Sequence, residues 1–238
     1  MHIALIGYGK MGKAIEAIAR ERGHDIITII NAQTNKEDFA TMLQKADVAI
    51  EFTNPESAVR NILQCFMVGV PVVCGSTGWL QEWDKIVQAC IQQQGSLLYA
   101  SNFSIGVNIF FELNKKLAAL MAPQKTYNVG ITEIHHTQKK DAPSGTAITL
   151  AEQIIEEIPR KTKWVKENSN DNSDLTIHSE RIDPAPGTHH VKYSSDIDDI
   201  EIIHTAHNRK GFALGAVLAA EFLQYKKGIY GMQDVLLM

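Results

Sequence analysis

HIALIGYGKMG, residues 2–12, decides the fold of the first half of the chain. His2 to Gly7 is a short, nearly continuous apolar run, the signature of a strand buried on both faces of a parallel sheet. GYGKMG at Gly7 to Gly12 follows, and then a helix-like stretch through Arg22. The pattern G-x-G-x-x-G carries weight only between a strand and a helix, and it stands there. Gly7 permits the tight turn, Gly9 removes a side chain where a pyrophosphate must reach the backbone, and Gly12 lets helix and strand pack closely. The alternation then continues. Strands are expected at Asp25 to Ile30, Ala46 to Phe52, Pro71 to Cys74 and Ser96 to Ala100, with helices at Pro55 to Val68 and about Gln81 to Gln93. Repeated strand and helix at this spacing predict a doubly wound parallel sheet with right-handed crossovers.

Ligands of such sheets bind beyond the carboxyl ends of the strands. Three strand ends carry turn chemistry there: GYGKMG, GSTG at Gly75 to Gly78, and SNFS at Ser101 to Ser104. Gly75, Ser76 and Thr77 offer backbone N–H groups and hydroxyls for a nicotinamide ribose, and Asn102 a partner for the carboxamide. An acid that bonds ribose hydroxyls often ends the second strand; here the residue is Asn31. Without that acid nothing repels a 2′-phosphate, and Lys10 in the glycine loop can pair with one. NADPH is therefore expected to be accepted as well as NADH.

EIHHTQKKDAPSGTA, Glu133 to Ala147, is the chemical centre of the second half. The alternating run Tyr127 to Ile134 reads as a strand, and Ala147 to Ile158 has helical spacing. The motif is thus a loop from a strand end to a helix start, with Ser144 or Thr146 as N-cap. A helix N-terminus presents free N–H groups and partial positive charge, which suits an anion. Lys139 and Lys140 add cationic charge, and His135 and His136 titrate near neutral pH. The sum is a pocket for a small acid with a proton donor beside it. Each of these residues alone is more often an ordinary loop residue; their convergence is the argument.

The remaining segments are simpler. Asn108 to Met121 is an amphipathic helix whose apolar side is expected to be Ile109, Phe110, Leu113, Leu117 and Leu120. Pro159 to Asp174 is polar and reads as a mobile surface loop. Strands fit Leu175 to Arg181, His189 to Ser194 and Ile200 to Ala206, with no helix between them, so an antiparallel or mixed sheet is expected. Its apolar face needs cover, from two helices or another subunit. A last helix from about Lys210 to Lys226 is rich in alanine and glycine, as for close packing on the first domain. The domains are therefore 1–104, completed by 210–238, and 105–209.

The 238 residues are 45% hydrophobic and 21% charged, with a net charge of −4, which gives no general affinity for nucleic acid. No apolar run approaches the ~18 residues of a membrane span, and the start lacks a signal-peptide pattern. Cys65, Cys74 and Cys90 have no metal-like spacing and read as reduced core residues of a cytoplasmic protein, with no metal site.

With these motifs placed, the chain resembles the dihydrodipicolinate reductase (4-hydroxy-tetrahydrodipicolinate reductase) family of lysine and diaminopimelate synthesis, over nearly its whole length. EIHHTQKKDAPSGTA is similar to the family's E-x-H-H-x-x-K-x-D-x-P-S-G-T-A, and GYGKMG, GSTG, ASNFSIGVN at Ala100 to Asn108 and HTAHNRKGFALGA at His204 to Ala216 fit in order and spacing. The resemblance implies a Rossmann-like cofactor domain, a smaller α+β substrate domain that builds a homotetramer, and hydride transfer from NADH or NADPH to a cyclic imine dicarboxylate. It implies His135 as proton donor with Lys139 as its catalytic companion. His136, Lys139, Ser144, Gly145 and Thr146 would bind substrate. Gly7, Tyr8, Gly9, Lys10, Met11 and Gly12, Gly75 to Thr77, and Ala100, Ser101, Asn102 and Phe103 would line the cofactor, with Asn31 at the ribose. Two departures bear on cofactor choice: the family's glycine loop commonly has one more residue between its first glycines, and its acid after the second strand is Asn31 here. A different two-domain nicotinamide-dependent dehydrogenase would carry a different polar loop; a non-catalytic NAD-binding sensor would bind nucleotide without turnover.

Overall fold

The computed structural model describes residues 1–35, 38–166 and 169–237. It divides into two compact units, Met1–Ile105 with Arg209–Met238, and Gly106–Asn208.

The first unit is a six-stranded parallel sheet. In chain order its elements are β1 (His2–Ile6), α1 (Lys10–Glu21), β2 (Asp25–Ile30), α2 (Phe39–Leu43), β3 (Val48–Glu51), α3 (Pro55–Met67), β4 (Val72–Cys74), a 3₁₀ turn at Leu80–Glu82, α4 (Trp83–Gln92) and β5 (Ser96–Tyr99). The strand order β11-β5-β4-β3-β1-β2 includes a late strand, β11 (Gly228–Tyr230). The chain runs outward from β1 to β2 and then returns to β3 on the other side of β1, so the topological switch lies between β1 and β3. One apolar layer packs α1 and α7 (Lys210–Leu223) on the sheet through Ile15, Ile18, Ala216 and Ala220; the opposite layer packs α3 and α4 through Ile62, Phe66 and Ile86. Small residues on α7 allow its close approach, and Arg22 just after α1 clamps Glu221 of α7 with two bonds of 2.8 Å.

The second unit holds α5 (Ile105–Met121, its first residue in the first unit), β6 (Asn128–His135), α6 (Gly145–Glu157), β7 (Lys163–Val165), β8 (Asp174–Arg181), β9 (Thr188–Ser194) and β10 (Asp199–Thr205). Its sheet has the order β10-β9-β6-β8-β7 and is mixed: β7, β8 and β6 run parallel, while β9 is antiparallel to β6 and β10 to β9. Val129, Ile131, Leu175, Ile177, Val191 and Tyr193 line one face under α5 and α6. The helices thus cover the apolar face, and the opposite face is polar.

The structure corrects four expectations. The buried side of α5 is Val107, Phe110, Phe111, Asn114, Ala118 and Met121, whereas Ile109, Leu113 and Leu120 are exposed. The helix carries two apolar stripes, and periodicity does not choose between them. The polar stretch 159–174 is not simply a mobile loop: it contains β7, and Lys161 is buried at 3% exposure, donating to Asn128 Oδ1 at 2.8 Å, Asn172 O at 2.8 Å and Asp174 O at 2.7 Å. Residues 167 and 168 of that stretch lie outside the described residues. Helix α2, β11 and α8 (Met232–Leu236) were not expected. The last long helix stops at Leu223, three residues short of the expected end, because the chain turns into β11.

Candidate active site

The glycine loop sits at the switch between β1 and β3. Gly7 has φ +95, donates its N–H to Ile30 O at 2.8 Å, and a Cβ there would lie 2.1 Å from Phe52 O. A Cβ on Gly12 would lie 2.4 Å from Gly7 O, so α1 is pressed onto the turn. At Gly9 a Cβ would meet nothing within 4 Å. Gly9 is the N-cap of α1 and provides no side chain to satisfy the helix's first N–H groups. Open space at the N-terminus of a twelve-residue helix, with its partial positive charge, fits a pyrophosphate. Lys10 is exposed beside it, Met11 is half-buried, and the Tyr8 hydroxyl donates to Glu16 of α1.

The other cofactor candidates divide between surface and core. Asn31 is exposed and its Oδ1 accepts from Gln33 N at 2.9 Å, closing a turn at the end of β2. Thr77 and Ser101 are exposed, and Ala100 is half-buried. Ser76 is 6% exposed and its hydroxyl accepts from Thr53 N at 2.8 Å. Gly75 is needed for a reason internal to the protein: a Cβ there would lie 2.2 Å from the Phe52 ring. Asn102 Oδ1 accepts from Ser104 N at 2.9 Å, and Phe103 is buried, its side chain against Phe52 and its carbonyl against Gly215. Beneath these loops a fully buried Glu51 takes bonds from Thr53, Asn61 and Cys74. Burial, and then Glu51, push the Cys74 thiol up, so it is an inert packing residue.

In the second unit one sheet face changes character along its length. On β6 the buried positions run Val129, Ile131, Glu133, His135, every second residue, from core to chemistry. The register sets Glu133 opposite Ser179 on β8 and His189 on β9, and His135 opposite Arg181. Glu133 is fully buried; its Oε2 lies 2.5 Å from His135 Nδ1, and its Oε1 accepts from Arg181 Nη2 at 2.8 Å and Ser144 N at 3.3 Å. Burial alone pushes the Glu133 carboxyl up, but bonds from His135, Ser179 and Arg181 outweigh it and hold the group well below the usual carboxylate range. His189 stacks edge-on to His135 with ring centroids 5.1 Å apart. It is pushed down to about 3, by burial first and then by the charge of His135, and so is neutral at working pH.

Glu133, His135 and His189 present ligand-type atoms within 4.8 Å of one another. Two ligands of one tetrahedral ion sit ~3.3 Å apart at ordinary metal–ligand lengths, and the Glu133–His135 pair at 2.5 Å is a direct ion-pair contact instead.

The rest of the loop surrounds this cluster. Ser144 caps α6 by accepting from Ala147 N at 3.2 Å, and its Oγ lies 3.1 Å from His189 Nε2. Being 2% exposed, its hydroxyl serves the helix and His189. Gly145 is exposed with open space around it, and Thr146 is half-buried. Lys139 Nζ grips both Asp141 oxygens at 2.9 and 2.8 Å. Lys140 is exposed, and His136 is half-buried. Sequence reasoning brought His135, Lys139, Ser144, Gly145 and Thr146 to one place. It missed the role of Glu133, and it missed Arg181 and His189, which reach the site only through strand register. A groove of about 700 Å³ lined by His2, Ile27, Thr28, Thr41, Met42 and Lys45 holds none of the selected residues.

Family models for the dihydrodipicolinate reductase N-terminus and C-terminus match residues 1–103 and 106–236. The chain belongs to the dihydrodipicolinate reductase family. A 4-hydroxy-tetrahydrodipicolinate reductase of Christiangramia forsetii is 49% identical over 236 residues, covering 99% of this chain and 98% of its own. One from Thermosipho africanus is 34% identical, over 99% and 98%. Among solved structures, the dipicolinate-bound dihydrodipicolinate reductase of Paenisporosarcina sp. TG-14 superposes with a TM-score of 0.77 at 22% identity, over 98% of both chains. A probable dehydrogenase of Thermotoga maritima shares the fold at TM-score 0.58 and 9% identity, over 100% of this chain and 93% of its own. Among the described residues no helix is long and apolar enough to cross a membrane.

Proposed function

We propose that this family member reduces 4-hydroxy-tetrahydrodipicolinate to tetrahydrodipicolinate with NADH or NADPH, in lysine and diaminopimelate synthesis. The observation that carries the reading is that both halves of the family model, and a reductase of the same name at 49% identity, span the chain. When bound, the nicotinamide supplies the hydride that enters ring C4 once the 4-hydroxyl has left as water. The α1 N-terminus at Gly9 takes the pyrophosphate, and Lys10 meets a 2′-phosphate when one is present. The N–H groups of Gly145 and Thr146 take one ring carboxylate, and Lys139 exchanges Asp141 for it. Hydride addition leaves enamine electron density at C3, and His135, protonated, delivers a proton there. His136 lines the same pocket. The reading extends to a cytoplasmic homotetramer: Cys65, Cys74 and Cys90 are free and buried, and Ile200 and Ile203 stand exposed on the edge strand β10.

The test is to follow nicotinamide absorbance when purified protein meets freshly formed 4-hydroxy-tetrahydrodipicolinate. Both cofactors are expected to be consumed, with kcat/KM within about tenfold of each other, because no acid opposes the 2′-phosphate and a factor of ten is ~1.4 kcal/mol. Nucleotide binding without consumption would mark a sensor.

A further inference from the structure

The charges around His135 are arranged in a chain. Arg181 on β8 donates to Glu133 Oε1 at 2.8 Å, and Glu133 Oε2 lies 2.5 Å from His135 Nδ1 on the same strand. Arg181 is further fixed by Asp141 O at 2.6 Å and Glu180 O at 2.7 Å. Glu133 is fully buried and His135 8% exposed, so neither charge is screened by water. We propose that Arg181 is a positioning residue that, through Glu133, sets how readily His135 gives up its proton. The inference rests on the reading of His135 as the proton donor.

A buried carboxylate beside an imidazole holds the proton on the ring, because releasing it leaves a lone anion in a dry site. A dyad of Glu133 and His135 alone would therefore be a reluctant acid. With Arg181 present, the trio carries one net positive charge before transfer and none after it. The proton leaves behind a neutral Arg181–Glu133 ion pair, and no buried charge is stranded. The neighbouring groups do not disturb this balance. His189 on β9 is neutral, and Lys139 and Asp141 in the loop after β6 cancel each other. His204 on β10 is pushed down, by burial first, and so adds no charge at neutral pH. Arg181 thus makes His135 releasable while Glu133 fixes the ring.

The chain of charges implies opposite effects for its two supporting members. Removing Arg181 leaves Glu133 unopposed and tightens the proton on His135. Removing the Glu133 charge leaves Arg181 unopposed and loosens it. The experiment measures the pH dependence of kcat and, separately, the titration of the His135 ring by NMR, its signal assigned by its loss in His135→Gln. In Arg181→Met both midpoints should move up by about one pH unit or more, with a lower plateau rate. In Glu133→Gln both should move down, and Arg181→Lys should stay near the parent. A His135 midpoint unmoved in both Arg181→Met and Glu133→Gln, or moved the same way in both, overturns the proposal. Should Arg181→Met not fold, Glu133→Gln decides alone: an unmoved His135 midpoint overturns it. Ring midpoints that move as expected while the kcat profile stays fixed uphold the link from Arg181 to His135 and reject His135 as the donor.

Discussion

Gly7 and Gly9 stand two residues apart and are glycine for different reasons. A Cβ on Gly7 would meet the Phe52 carbonyl at 2.1 Å with the backbone at φ +95, whereas a Cβ on Gly9 meets nothing in the protein. Gly7→Ala is therefore expected to lower stability by ~1–3 kcal/mol, the range for overpacking in a rigid interior. Gly9→Ala should leave Tm nearly unchanged yet raise KM for NADH and NADPH about tenfold or more, because the methyl occupies the pyrophosphate's place. Thermal melts beside cofactor titrations check both, and a Gly9→Ala protein with the parent's KM would remove the phosphate from that loop. Lys139 is held by Asp141. Pyridine-2,6-dicarboxylate should compete with substrate in the parent and inhibit Lys139→Ala far less, since a bound carboxylate would lack its charged partner. Equal inhibition of the two would take Lys139 off the substrate. Glu133 and His135 lie on one face because i and i+2 of a strand share a side, but the sequence reading ended that strand at Ile134 and so did not pair them. Arg181 and His189 were not legible, since nothing local says that residues 48 and 56 positions beyond Glu133 will lie beside it and His135.

At the scale of the element, long periodic segments were read well because burial imposes their period on the sequence. Short ones were not: α2 buries only Phe39 and Leu43, and β11 is three residues long. Helix α5 shows where the reading fails even in a long segment, because apolar residues on two stripes leave the packed side to be chosen by the sheet beneath. Lys161 shows another limit. A lysine in a polar stretch reads as solvent-exposed, yet this one joins the start of β6, the segment after β7 and the start of β8 through three acceptors. Lys161→Met keeps most of the aliphatic volume and strips those acceptors of their donor. It is expected to cost ~1–3 kcal/mol, seen as a Tm lower by several degrees with kcat unchanged at low temperature. A melt equal to the parent's would show that water replaces the ammonium without cost.

For the whole molecule, the second unit spends its helices on one face of its sheet and leaves β10 as an edge strand with Ile200 and Ile203 exposed. An uncovered edge of this kind is a pairing surface that native proteins cover or charge. A homotetramer assembled through this sheet is the expected state, and light scattering at working concentration should give four times the chain mass. Ile203→Lys should shift it toward smaller species; a parent that is monomeric throughout would leave the edge unexplained. The central claim is the reduction itself, and the most direct measurement follows the transferred hydrogen. Substrate is turned over with nicotinamide cofactor deuterated at its C4 position, and the product is read by NMR. Deuterium is expected at ring C4 of tetrahydrodipicolinate, with solvent hydrogen at C3 and a His135→Gln rate lower by ~10²–10⁴-fold. A product without deuterium at C4, or no product from a protein that binds both ligands, would contradict it.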